Sequence, residues 1–369
     1  MSNPLQQLRE HGQSPWIDFI TRDFVRKGEL AEQIQDGIVG LTSNPTIFQD
    51  AISKGDAYDE QLAEVLRTTS DPREVFVALA QEDVRGACDE FRPVFDRGDA
   101  TRDGWVSLEV DPDLAEDATA TATEAKRLHG LVDRPNLFVK IPGTRAGLSA
   151  IEETIAAGIP VNVTLLFSLA RHREAAEAYM RGLQRLKESG GDLATVASVA
   201  SFFVSRVDTE ADRRLDEIGG HEELKGTLAI ANAKLAYQTY KDVFSGSDWE
   251  ELKAAGASAQ RCLWASTSTK NPAYRDVIYV EELIGPDTVN TMPPATVKAF
   301  LDHGRVENTL ERDVDGAHRT LEAFAKAGID YDDVVEVLER EGVAKFLASF
   351  QELIDGVSSK REELASARG

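Results

Sequence analysis

Short β-like runs alternate with amphipathic helical stretches along almost the whole chain, and no other property of the sequence restricts its fold as much. Eight runs read as strands: 15–21, 37–43, 105–111, 137–141, 160–168, 195–204, 261–266 and 287–292. Helical patterns such as 71–96, 113–129, 144–157 and 169–187 separate them. Alternating strands and helices imply a mostly parallel sheet. Eight such units over 369 residues fit a (β/α)₈ barrel better than an open doubly wound sheet. No Gly-x-Gly-x-x-Gly or Walker loop follows an early strand, which argues against a nucleotide-binding open sheet. Two segments exceed the minimal barrel: an acidic helical stretch at 208–259, between strands six and seven, and two or three helices at 295–369. No Gly/Ser- or Pro-rich linker divides the chain, so 1–369 reads as one domain carrying these helices as additions.

Within that pattern, Lys140 stands in the middle of the apolar run Asn136-Leu-Phe-Val-Lys-Ile-Pro-Gly143. Strand periodicity puts Phe138 and Lys140 on one face, and Val139 and Ile141 on the other. A lysine is rarely buried without a partner. Burial favours its uncharged form, the nucleophile of Schiff-base chemistry.

The formal net charge of −23 argues against a general nucleic-acid or anionic-membrane surface, yet leaves room for a small anion held by a few local cations. Both cysteines, Cys88 and Cys262, read as free thiols, in keeping with a reducing, cytoplasmic setting. The first residues lack a basic start and apolar stretch, so no secretory leader is expected. No run of about 18 apolar residues suggests a membrane span.

In a barrel, chemistry sits at the C-terminal ends of the strands. There, strand one carries Asp18 between apolar neighbours, either a reactive carboxylate or an ordinary cap or ion pair. After strand two, Asn44 precedes Pro45, a pattern that also describes a plain helix cap. Ser107, Glu109 and Asp111 share one face of strand three; an acidic stripe facing a barrel axis is costly unless used or paired. Asn162 and Thr164 on strand five point toward the lysine of strand four, either to position substrate or as a structural hydrogen-bonded pair. Ser201 and Phe203 share a face of strand six, with Arg206 past its end. Ser266 and Lys270 follow strand seven. Arg206 and Lys270, each among hydroxyl donors, together suit a phosphate. The six histidines form no metal-ligand spacing, and the only metal alternative is Mg²⁺ on Asp18, Glu109 and Asp111.

The chain resembles the transaldolase family. The matching segments are Leu41-Thr-Ser-Asn-Pro-Thr46, Val106-Ser-Leu-Glu-Val-Asp111, Phe138-Val-Lys-Ile-Pro142, Val161-Asn-Val-Thr-Leu-Leu-Phe-Ser168 and Ser201-Phe-Phe-Val-Ser-Arg206. They occur in family order, and the extra length is similar to the larger bacterial branch. The resemblance implies a cofactor-free dihydroxyacetone transfer between sugar phosphates in the non-oxidative pentose phosphate pathway; the sequence leaves monomer and homodimer open. It assigns Lys140 to the Schiff base, Asp18 to the base for C–C cleavage, and Glu109 to proton shuttling through a water held by Thr164. Asn44, Asn162 and Ser201 would hold the three-carbon unit. Phe203 would wall the pocket, and Arg206, Ser266 and Lys270 would bind phosphate. Lys270 stands where the family commonly has a second arginine, Ser205 where it has glycine, and Phe202 where proline is frequent. Three other readings compete: an aldolase releasing free dihydroxyacetone, a pyridoxal-phosphate barrel with the cofactor on Lys140, and a non-catalytic barrel.

Overall fold

The computed structural model describes residues 2–53, 55–98 and 103–366. Eight strands form a closed, all-parallel barrel in sequence order: β1 (Gln13–Asp18), β2 (Gly40–Thr42), β3 (Trp105–Glu109), β4 (Leu137–Pro142), β5 (Val161–Leu166), β6 (Ser198–Phe203), β7 (Arg261–Ala265) and β8 (Thr288–Met292). β1 closes the barrel against β8. All eight expected strands are present with shifted ends: most are shorter than the apolar runs suggested, while β1 begins two residues earlier and β4 runs one residue further. Thr21 leaves the first run to cap the helix Arg22–Arg26, its hydroxyl accepting from the Phe24 amide. Thr195 belongs to a 3₁₀ turn preceding β6.

The barrel interior is layered. At the bottom, Phe138 stacks on Trp105 with centroids 4.2 Å apart and on Trp16 at 6.1 Å. Such rings fill the width of an eight-stranded barrel. Gly40 is required here: a Cβ would lie 2.4 Å from the Trp16 ring. Above the rings lies a polar layer. Asn162 donates to Ser107 Oγ (3.0 Å) and accepts from Ser201 Oγ (2.7 Å). Lys140, Glu109, Thr164 and Asp18 stand one step higher, toward the C-terminal mouth. Ser107 and Glu109 of the stripe read from strand alternation are therefore on the inner wall of the barrel.

The stretch 208–259 contributes most of the helix Ser205–Ile218 and the helices Leu228–Val243 and Ser247–Ala254. Beyond β8 come the helices Pro294–His303, Val314–Lys326 and Tyr331–Ser366. The last, 36 residues long, runs across the barrel mouth. Its Ser349 bonds to Thr46 (2.9 Å), its Phe350 packs edge-on against Phe76 (5.8 Å), and its Lys360 pairs with Asp59 (2.7 Å).

Candidate active site

The C-terminal mouth opens into a cavity of about 910 Å³, a size suited to a small ligand. Of the residues singled out from sequence, Asp18, Asn44, Lys140, Thr164, Ser201, Phe203, Arg206, Ser266 and Lys270 line it. Glu109 and Asn162 sit behind the wall and touch those that do.

Lys140 occupies the floor and is only 5% exposed. Its register places it between Glu109 of β3 and Asn162 of β5. The Nζ donates to the Ser43 carbonyl at 3.1 Å and lies 3.5 Å from Glu109 Oε1. Burial pushes the Glu109 carboxyl up to about 7, with the Lys140 charge opposing the shift. Among the described residues neither Glu109 oxygen has a close hydrogen-bond donor, and Thr164 Oγ1 is buried and likewise unbonded. These are the polar atoms left for a water or a substrate hydroxyl.

Asp18 faces Lys140 from the opposite wall. Burial raises its carboxyl above the usual range, while Lys140, Thr42 and Asn44 pull it back. Thr42 donates to Asp18 at 2.7 Å and also contacts Thr291 at 2.7 Å. Asn44 takes the cap position and also faces the cavity. Its Oδ1 accepts from the Ile47 amide (3.1 Å) at the start of the helix Pro45–Ser53, and its side chain also bonds to Asp18.

On β5 the ladder to β6 shifts register between Val163 and Leu166, and Leu165 adopts φ 60°. A bulky residue in the left-handed region costs roughly 1–3 kcal/mol and is seen where function or packing demands it. Thr164 lies within this irregularity.

The far side of the cavity is cationic. Arg206 lies in the first turn of the helix Ser205–Ile218, its guanidinium 5.2 Å over the Phe203 ring. Burial depresses its pKa, partly offset by Glu341. Lys270 is depressed by burial and by the Arg206 charge, and its Nζ donates to Ser268 at 2.8 Å. The Arg206 charge depresses Lys270, and no carboxylate is bonded to either among the described residues, so the two form a cationic wall able to attract an anion. Ser205 is accommodated in place of a glycine: its φ is not positive, and its hydroxyl meets Ser266 Oγ at 2.9 Å.

Asp111 does not join the site. β3 ends at Glu109, and Asp111 caps the 3₁₀ turn Pro112–Leu114 and pairs with Arg73 outside the barrel. The alternative of Mg²⁺ on Asp18, Glu109 and Asp111 is therefore overturned, because the third carboxylate is held elsewhere by an arginine. Among the described residues no group of three or more His, Cys, Asp or Glu side chains is placed to hold a metal.

Among the lining residues that the sequence reading missed are Arg22, Lys345 and Phe346. The Arg22 guanidinium is consumed by a buried pair with Asp83 (2.8 Å), to which Tyr58 also donates (2.8 Å). Lys345 and Phe346 arrive from the C-terminal helix, and Phe346 lies 5.7 Å from Lys140 Nζ. No local pattern in the sequence marks them.

Fold and site together define a (β/α)₈ barrel of the lysine-centred type, with paired carboxylates at its amine and an anion-receptive wall opposite. The chain matches the family described as transaldolase/fructose-6-phosphate aldolase over residues 15–357, and it belongs to that family. It is 49% identical to a protein named Transaldolase 2 from Streptomyces avermitilis and 51% identical to a Transaldolase from Acidothermus cellulolyticus, over 100% of both chains in each case. It is also 50% identical to a Transaldolase from Thermobifida fusca, covering 98% of this chain and 99% of that one.

Proposed function

We propose that this chain is a transaldolase, a cytoplasmic enzyme of the non-oxidative pentose phosphate pathway. It moves a dihydroxyacetone unit from a ketose phosphate, such as sedoheptulose 7-phosphate or fructose 6-phosphate, to an aldose phosphate, such as glyceraldehyde 3-phosphate or erythrose 4-phosphate. The observation that carries this reading is the position of Lys140 Nζ: buried at the cavity floor, 3.5 Å from Glu109, and in the field of Asp18.

Lys140 adds to the ketose C2 carbonyl to give a carbinolamine. Glu109, through a water held with Thr164 Oγ1, supplies the proton with which hydroxide leaves as water, and the iminium forms. Asp18 then removes the C4 hydroxyl proton. The C3–C4 bond breaks, its electron pair flows into the iminium to give an enamine, and the aldose phosphate departs. An incoming aldehyde reverses these steps. Asn44 and Ser201 hold the retained three-carbon unit, with Asn162 orienting Ser201 from beneath, and Phe203 walls the pocket. Arg206, Ser266 and Lys270 take the phosphate by charge-assisted hydrogen bonds.

The test is to incubate the protein with fructose 6-phosphate, reduce with borohydride and map the modified peptide by mass spectrometry. A reduced three-carbon adduct on Lys140 is expected. Folded protein with Lys140 unmodified would sink the reading. Product formed at full rate without an acceptor aldehyde would instead identify an aldolase.

A further inference from the structure

The C-terminal helix reaches the reacting lysine from outside the barrel. Its Gly342 approaches β5 so closely that a Cβ would lie 3.2 Å from Leu165 Cδ2 and 3.3 Å from the Phe167 ring. The contact falls at the strained Leu165, so the irregularity in β5 and the absent side chain at 342 together seat the helix. One turn later, Phe346 lies with its ring centroid 5.7 Å from Lys140 Nζ. Phe346 also borders a small cleft with Glu109, Pro142 and Val343, as well as the main cavity. Its ring therefore stands against Lys140 in the wall shared by the main cavity and this cleft.

We propose that Phe346 is a specificity-determining residue that keeps bulk water from the Lys140 adduct and so sets the partition between transfer and hydrolysis. This rests on the Schiff-base reading of Lys140. After cleavage the three-carbon unit remains on Nζ as an enamine. If C3 is protonated, the iminium returns; water adds to C2, the C2–N bond breaks with its electron pair going to Nζ, and free dihydroxyacetone leaves. An apolar ring over the adduct keeps bulk water from protonating C3, the step that release needs and transfer does not, while an aldehyde can still enter through the main cavity.

Phe346→Ala and Phe346→Leu are assayed with fructose 6-phosphate alone, for dihydroxyacetone release, and with erythrose 4-phosphate added, for transfer. Borohydride trapping is run in parallel. The ratio of release to transfer is expected to rise on the order of tenfold for Phe346→Ala and less for Phe346→Leu, with Lys140 still trapped. An unchanged ratio with trapping intact would overturn the proposal. If the alanine variant does not fold, the leucine variant is judged by the same ratio. Wild-type protein whose Lys140 is never trapped would remove the Schiff-base reading and this proposal with it, a result distinct from an unchanged ratio.

Discussion

Lys140 must lose a proton to attack and then carry a positive charge as the iminium, and the carboxylates on either side of it serve those two states. Glu109 is held near 7 by burial, so it is protonated below about that pH and able to donate to the departing hydroxide. Dehydration should slow as pH rises through 7. Asp18 must be ionised to accept the C4 proton, and its raised pKa makes cleavage weaken on the acid side. The expected kcat/KM profile is a bell with an alkaline limb near 7. Glu109→Gln should lower kcat by about 10²–10⁴-fold and abolish that limb; an unaltered limb in the variant's pH–rate curve would assign it to another group. Lys140→Arg keeps a cation but cannot form the iminium, so both transfer and the trapped adduct should fall to background.

Two junctions between elements decide how the site is held. At the first, β6 runs directly into the helix carrying Arg206, and the loop after β7 brings Ser266 and Lys270 against it. A hydrogen bond to a charged group is worth about 1.5–3 kcal/mol, so Arg206→Ala should raise KM for fructose 6-phosphate by roughly 10–100-fold. KM for unphosphorylated fructose should hardly move. Lys270 binds as a point charge, and Lys270→Ala should have the smaller effect in the same steady-state assay. At the second junction, Arg22 of the helix after β1 meets Asp83 of the helix Pro72–Phe95, both 2% exposed. Asp83→Ala would leave a buried guanidinium uncompensated, costing about 3–5 kcal/mol in urea unfolding. A loss below about 1 kcal/mol would show that water reaches the pair.

Across the whole molecule, stability and pH are linked through a buried carboxyl remote from the chemistry. Asp208 accepts from the Ala229 amide (2.7 Å) and from Tyr279 OH (2.7 Å), joining the additional helices to the segment before β8. Burial nevertheless raises its carboxyl to about 7 from 3.8. The folded state then holds a proton that the unfolded chain has released. Its contribution is full below about pH 4 and disappears as pH rises through about 7, a span worth on the order of 4 kcal/mol. Asp208→Asn should flatten the fall of unfolding free energy over that window; an unchanged slope would place the titration elsewhere.

What the sequence alone determined is the part written in local periodicity. Eight alternating units specified the barrel, and the two-residue repeat of a strand put Ser107 and Glu109, then Phe138 and Lys140, on its inner wall, because neighbouring Cβ atoms point to opposite faces whatever surrounds them. Asp111 escaped that rule because the strand stops two residues earlier and a distant arginine takes the carboxylate. Asn44 could not be assigned as cap or ligand from its neighbours, since it contacts both the Ile47 amide and Asp18. The pairing of Arg22 with Asp83, the left-handed Leu165 and the return of Phe346 to a lysine some two hundred residues earlier were decided only by the tertiary structure. Such contacts are selected by the sum of many small burial terms across the closed fold, which leaves no signature at either residue in the chain.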